Sequence, residues 1–199
     1  MSAAVVKYAR DMSRWEPNAR GRLEQAALQL FIERGFEQTT VAEIAERAGL
    51  TERTFFRHFA DKREVLFGGA SALQELLVNA VASTPAAVAP LDAIVEALVA
   101  AGALLQERRD YARQRQIVIA ANAELREREL IKLATLAETL ADALRRRGVA
   151  EPAASLVAEA GIAVFKVAFD RWVTETTEHD LPQLIRESLE ELKGVTVGT

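Results

Sequence analysis

Arg53, Thr54, Arg57 and His58 lie within one short stretch, TERTFFRHF at positions 51–59, and their side chains are of the kinds that contact DNA. Arginine presents a planar fork that matches guanine N7 and O6 in the major groove, so Arg53 and Arg57 are the candidates for base-edge contacts. Thr54 suits a thymine methyl or a phosphate, and Thr51, which opens the same segment, joins the candidate set. His58 and Lys62, with Thr40 one segment earlier, suit phosphates. Phe56 has no hydroxyl to donate, which leaves apolar contact with a sugar or a methyl group. Glu52 repels phosphate, so it is either a helix charge or a contact to cytosine.

Other chemistries find little support. Cysteine is absent and His58 and His179 are the two histidines, which excludes disulfides and thiolate metal sites and disfavours a histidine-rich one. No G-x-S-x-G, phosphate-binding loop or G-x-G-x-x-G occurs. No catalytic residue, metal ligand or cofactor is therefore expected, and an enzyme is the weaker rival reading. A second rival is a helical adaptor that binds only protein, with the polar face merely solvated.

The candidate residues need elements to hold them. Val41, Ile44, Ala45 and Ala48 recur at helical spacing and form one apolar face. Thr40 with Glu43 three residues on has the form of a capping box. Gly49 stands where a helix ending in the left-handed region calls for glycine. Thr51 caps the next helix, in which Phe55 and Phe59 point inward while Arg53, Thr54, Arg57 and His58 point out. Helix, glycine-containing turn and second helix with an outward polar face make a helix-turn-helix pattern; an ordinary helical hairpin is the alternative on spacing alone. Ahead of it, Leu23, Ala26, Ala27, Leu30 and Phe31 form the buried stripe of a helix over 18–34 that Gly35 ends.

The remainder is read as helices too. The chain has 199 residues, half of them hydrophobic, and few glycines and prolines. The expected fold is all-α: an N-terminal three-helix helix-turn-helix domain plus a larger C-terminal helical domain, about nine helices. Residues 1–17 are a flexible arm, 18–67 the reading head, and 68–199 the body. The arm is either a frayed tail or a basic strand that follows DNA. Net charge is −4, divided as +1 through Phe67 and −5 beyond it. Asp61 caps a long helix toward Ser83, which Gly68 and Gly69 interrupt and can bend. Residues 84–90 form a linker, and Arg145, Arg146 and Arg147 cap a helix end. Small residues at 100–103 suit either close helix packing or a cavity wall. The helix near 152–176 is apolar on more than one side, and another follows at 181–193 before a loose tail from Gly194. No apolar run is read as a membrane span and no signal-peptide core is read at the start, so a cytoplasmic protein is expected.

The stretch from about Arg20 to Phe67 resembles the DNA-binding region of the tetracycline-repressor (TetR) family. LQLFIERGFEQTTV, AEIAERAGLTERTFFRHF and ADKREVLF carry the likeness, and Phe55, His58, Phe59, Lys62 and Leu66 form its F-x-x-[RH]-F-x-x-K-x-x-L-type ending. Phe56 stands where the family often has tyrosine. RQRQIVIAANAELREREL, LAETLADAL and FDRW are similar to C-terminal domains related to the mycofactocin-system repressor. The resemblance implies a homodimeric repressor of double-stranded DNA, paired through the helices near 152–176 and 181–193. It also implies an inverted-repeat operator and release by a small effector, lipophilic or acyl-CoA-like. Phe165, Phe169 and Trp172 share a helix face that suits such an effector or a plain core. Tyr111, Gln114, Arg115 and Asn122 are the polar groups expected to orient it.

Overall fold

The structure, a computed structural model, describes residues 19–175 and 179–196. The arm at 1–17 lies outside them. The described residues form nine α-helices and two 3-10 turns, with no strand among them. The N-terminal unit, or head, contains α1 (Ala19–Arg34), α2 (Val41–Arg47) and α3 (Glu52–His58), followed by a 3-10 turn at Arg63–Phe67. The body comprises α4 (Ala70–Ser83), α5 (Pro90–Leu105), a 3-10 turn at Gln106–Arg108, α6 (Arg109–Ala121), α7 (Ala123–Arg146), α8 (Ala153–Thr174) and α9 (Leu181–Thr196).

Two apolar cores organise these helices. In the head, Leu23, Ala27, Leu30 and Phe31 of α1 pack on Ile44, Ala48, Phe55 and Phe59, and Val65, Leu66 and Phe67 close the cluster from the 3-10 turn. Full burial of Phe55 removes its ring from water, worth about 1.5–3 kcal/mol. Val118 and Ile119 of α6 and Leu125 of α7 belong to this same cluster, so the body supplies part of the head's core. The larger core joins α4, α5, α7, α8 and α9 around Leu98, Leu140, Leu144, Trp172 and Leu184.

Glycine sets the closest helix approaches. A Cβ at Gly161 would stand 2.4 Å from Ile94 Cγ2, and one at Gly102 would stand 3.1 Å from Ile185 Cδ1. The small residues of α5 around position 102 thus serve close packing against α9. Gly49, at φ +64°, turns the chain from α2 toward α3. L-residues with a β-carbon rarely adopt that backbone conformation.

Three expectations are corrected. The long helix from Asp61 is divided: Asp61 accepts from the amides of Arg63 (2.8 Å) and Glu64 (3.1 Å) to start the 3-10 turn, and the α-helix resumes only after Gly68 and Gly69. By length and composition Arg63–Ser83 is apolar enough to cross a membrane, contrary to the reading that no run is. Leu76, Leu77 and Val81 instead face the body's core, and the apolar character of the stretch serves packing between helices. At the C-terminus, α9 continues to Thr196 where a loose tail was expected from Gly194.

Arg145 pairs with Asp142 and Glu151, and Arg147 donates to the carbonyl oxygens of Pro85 (2.9 Å) and Val88 (3.3 Å). This cluster closes the end of α7 onto the loop between α4 and α5.

Candidate nucleic-acid interface and effector region

α3 is only seven residues long, so its position depends on its ends and its core contacts. Thr51 accepts from the Thr54 amide at 3.2 Å, and the two threonine hydroxyls lie 3.1 Å apart. Both therefore meet each other before they meet DNA. At α2 the capping box is complete: the Glu43 amide donates to Thr40 Oγ1 at 3.2 Å, and the Thr40 amide donates to Glu43 Oε2 at 2.8 Å. Thr40 also donates its hydroxyl proton to Glu43 (2.9 Å), so its outward role rests on the oxygen's remaining lone pair and on the helix start it shapes.

Phe55 and Phe59 anchor α3 from within, with ring centroids 5.4 Å apart. Their burial leaves Arg53, Phe56 and Arg57 exposed on the opposite side, Phe56 at 55%. The charges sort by partner. Arg20 pairs with Glu24 (3.3 Å), Arg34 with Glu43 (2.8 Å), Arg47 with Glu33 (2.9 Å) and Arg63 with Asp61 (2.8 Å). Arg53 and Arg57 have no hydrogen-bond or ion-pair partner among the described residues. One helical turn apart on an exposed face, they keep their donors for an external acceptor. Glu52 is exposed beside them.

His58 and Lys62 are less available. Burial, then the charges of Arg57 and Arg20, holds the His58 imidazole below its usual pKa, so it is neutral at pH 7. Its Nε2 is enclosed without a partner among the described residues. Lys62 donates to the carbonyl oxygens of Phe36 (2.7 Å) and Thr39 (3.0 Å), and its ammonium sits 4.1 Å from the centre of the Phe36 ring. That ammonium binds the chain after α3 to the loop before α2, leaving one N–H donor for a phosphate. Its sequence position suggested phosphate contact, and its geometry is that of a clamp.

The residues expected around an effector fall into two groups. Phe165, Phe169 and Trp172 form one row on α8, with successive centroids 5.6 Å apart, packed in or against the body's core. Trp172 is fully buried and its indole N–H has no partner among the described residues. Of the polar group, Tyr111, Arg115 and Asn122 lie elsewhere, at the joint between body and head. Tyr111 packs on the head's core under the Arg108 guanidinium at 4.5 Å, and burial pushes its phenol up to about 12. Arg115 donates to the Leu66 carbonyl at 2.7 Å, pairs with Glu129 at 3.3 Å and covers the Phe67 ring at 4.9 Å. Asn122 donates to the Val118 carbonyl at 2.7 Å and so finishes α6, while Gln114 is exposed. Tyr111, Arg115 and Asn122 thus contact the head's side of α6 and not the aromatic row.

Sequence reasoning missed further parts of that joint. Glu64, just ahead of the Leu66–Gly68 segment, receives both Arg128 and Lys132 of α7, the latter at 3.0 Å. Arg20 donates to the Gly68 carbonyl. At the far end of α6, Arg109 donates to the carbonyls of Trp172 (3.0 Å) and Glu175 (2.8 Å), and Arg113 to those of Val173 (2.8 Å) and Glu175 (3.2 Å). Two guanidiniums four residues apart thus satisfy the last carbonyls of α8, where a helix carries partial negative charge. The i, i+4 spacing of Arg109 and Arg113 was the available signal. The separation of about sixty residues between partners hid the contact.

A short, capped helix with arginines directed outward, resting on a helical body that shares its core, is the arrangement of a DNA-binding regulator. Comparison with known proteins agrees. Residues 24–67 match the family described as bacterial regulatory proteins, tetR family, and residues 88–196 match the MftR C-terminal domain. The chain belongs to the TetR family of transcriptional regulators, with a C-terminal domain of the MftR type. It is similar to the HTH-type transcriptional regulator TcmR of Streptomyces glaucescens, 45% identical over 75 residues that cover 38% of this chain and 33% of that protein. It is also similar to a putative mycofactocin biosynthesis transcriptional regulator, MftR, of Mycobacterium tuberculosis, 28% identical over 125 residues, 63% of each chain. The chain thus spans a third of the first relative and under two thirds of the second. Among solved structures, FadR of Bacillus subtilis in complex with stearoyl-CoA shares the fold, with a TM-score of 0.60, 20% identity, and 86% of this chain and 96% of that one covered. Regulators of this family bind DNA and small-molecule effectors.

Proposed function

We propose that this chain is a homodimeric repressor that reads an inverted-repeat operator and leaves it when a lipophilic effector binds the body. The observation that carries the reading is the exposed pair Arg53 and Arg57 on α3, without partners among the described residues, in a head where Arg20, Arg34, Arg47 and Arg63 are paired. Two such helices, related by a twofold axis, enter successive major grooves about 34 Å apart, which calls for a palindromic site. Thr54 and Phe56 take the flanking contacts, Thr40 and Thr51 the helix starts. His58 and Lys62 act mainly by holding α3 in place.

The chain is divided into a head at 18–67 and a body at 68–199; the separate family matches at 24–67 and 88–196 support two units, with α6 reaching into the head's core. Pairing is assigned to α8 and α9. Leu156 and Val167 are 66% and 50% exposed on α8, on the side away from Trp172. An apolar outer face on an otherwise core-forming helix supports a second subunit there. The effector is assigned to the Phe165, Phe169 and Trp172 row, with the buried indole N–H, unpaired among the described residues, as a donor beside it. The acyl-CoA held by the fold relative supports an acyl thioester as the class. Tyr111, Arg115 and Asn122 belong instead to the relay that would pass the body's state to the head.

The test is an electrophoretic mobility shift of the purified protein on DNA fragments flanking its own gene, with and without palmitoyl-CoA. Retardation that palmitoyl-CoA relieves is expected. Absence of retardation at low salt defeats the DNA reading, and retardation indifferent to palmitoyl-CoA defeats the acyl thioester.

A further inference from the structure

We infer that Arg22 of α1 is an additional DNA-contacting residue, a phosphate clamp beside the turn that joins α2 to α3. The inference rests on the DNA-binding reading and adds a contact outside the helix-turn-helix itself.

The guanidinium of Arg22 lies against that turn: its Nη1 is 3.9 Å from the place a Cβ on Gly49 would occupy. Arg20, two residues earlier, covers the Phe59 ring at 5.5 Å. The start of α1 therefore reaches both ends of α3, and Arg20 and Arg22 have opposite fates. Arg20 is committed to Glu24 and to the Gly68 carbonyl. Arg22 has no hydrogen-bond or ion-pair partner among the described residues, and its Nε is enclosed without one. α1 has no carboxylate in its first turn that could take up the charge.

A half-buried guanidinium without a carboxylate partner is costly unless an acceptor arrives, and with Nε enclosed the donors left to meet one are its Nη groups. The fork lies in van der Waals range of the turn at Gly49. Along with Arg53 and Arg57, Arg22 is a head arginine with no carboxylate partner among the described residues. Those two lie on the exposed face of α3, whereas Arg22 belongs to α1 and lies against the turn, off the helix assigned to the groove. The acceptor that fits is a DNA phosphate, and the contact positions the head without reading sequence.

Arg22→Met keeps the apolar stem and removes the charge, and Arg22→Lys keeps the charge. Each full-length variant and the wild type is titrated by fluorescence anisotropy between about 50 and 200 mM salt. The probes are a random-sequence duplex and a duplex enriched from a random library by the wild-type protein. The expected result for Arg22→Met is a similar fall in affinity on both duplexes, about tenfold, with the slope of log affinity against log salt shallower by roughly 0.9 for each phosphate no longer neutralised. Arg22→Lys should keep the wild-type slope. Should Arg22→Met lose its helical circular dichroism, Arg22→Gln takes its place. An unchanged slope in the charge-free variant overturns the inference, as does a fall confined to the enriched duplex. Failure of the wild type to bind either duplex overturns the underlying DNA reading as well, which keeps the two failures apart.

Discussion

Arg57 is assigned its DNA contact by what it lacks. Arg20, Arg34, Arg47 and Arg63 spend their charge on carboxylates, whereas Arg57 has no such partner among the described residues. Arg57→Ala should cost roughly 1–3 kcal/mol on the preferred sequence while leaving affinity for random duplex within a few-fold. Equal losses on both, measured by competition anisotropy, would assign it to the backbone. His58 gives a pH signature. Its folded pKa lies below that of the unfolded chain, so its contribution to stability is present above about pH 6.5 and lost as pH falls through the folded value. Thermal melts should show His58→Asn flattening the fall in melting temperature between about pH 7 and pH 5. An unaltered fall would show that other groups govern it. Both arginines were legible in the sequence, because residue type and helical phase alone mark them. Lys62 was not: its clamp onto the Phe36 and Thr39 carbonyls depends on a loop whose path no local pattern specifies.

At the scale of elements, the joint between head and body is the part the sequence concealed. The helix-turn-helix follows from contiguous signals, a capping box, a glycine turn and apolar residues at i and i+4, and these are local. The joint connects Glu64 to Arg128 and Lys132, and Leu66 to Arg115, across 49 to 68 residues. Charge alone could not single these residues out among exposed helix charges. For the same reason Tyr111, Arg115 and Asn122, read as effector contacts from their polarity near apolar runs, sit against the head instead. Glu64→Gln leaves two cations facing a neutral amide. It should lower stability by about 1–2 kcal/mol, since charge-assisted bonds are worth roughly 1.5–3 kcal/mol each and these partners are partly solvated. Urea denaturation would register this as a shifted midpoint with unchanged slope, and an unmoved midpoint would remove Glu64 from the joint's energetics. In the body, Gly161→Val should be worse, by 2 kcal/mol or more on the order of overpacking costs, because Ile94 already fills the space.

For the whole molecule, the proposed function depends on pairing. A single head offers too few base contacts for a specific site, and two held at a fixed spacing supply the rest. Leu156→Glu combined with Val167→Glu places charge on the outer face of α8. The double variant should sediment as a monomer, keep its helical spectrum and lose most of its affinity for an inverted repeat. A variant that still sediments as a dimer would move the interface elsewhere. The two-faced character of α8 was visible from its apolar residues on several sides. What its inner face holds was not, because an aromatic row reads the same whether it lines a core or meets a ligand. The central claim is that two copies of this chain read a palindromic duplex through α3. Selection from a random duplex library by the purified protein, followed by sequencing, tests that claim most directly. The expected result is enrichment of an inverted repeat whose half-sites lie about one helical turn apart, and disappearance of that enrichment with Arg57→Ala. A retained pool with no sequence preference, or no retained DNA at low salt, would contradict it.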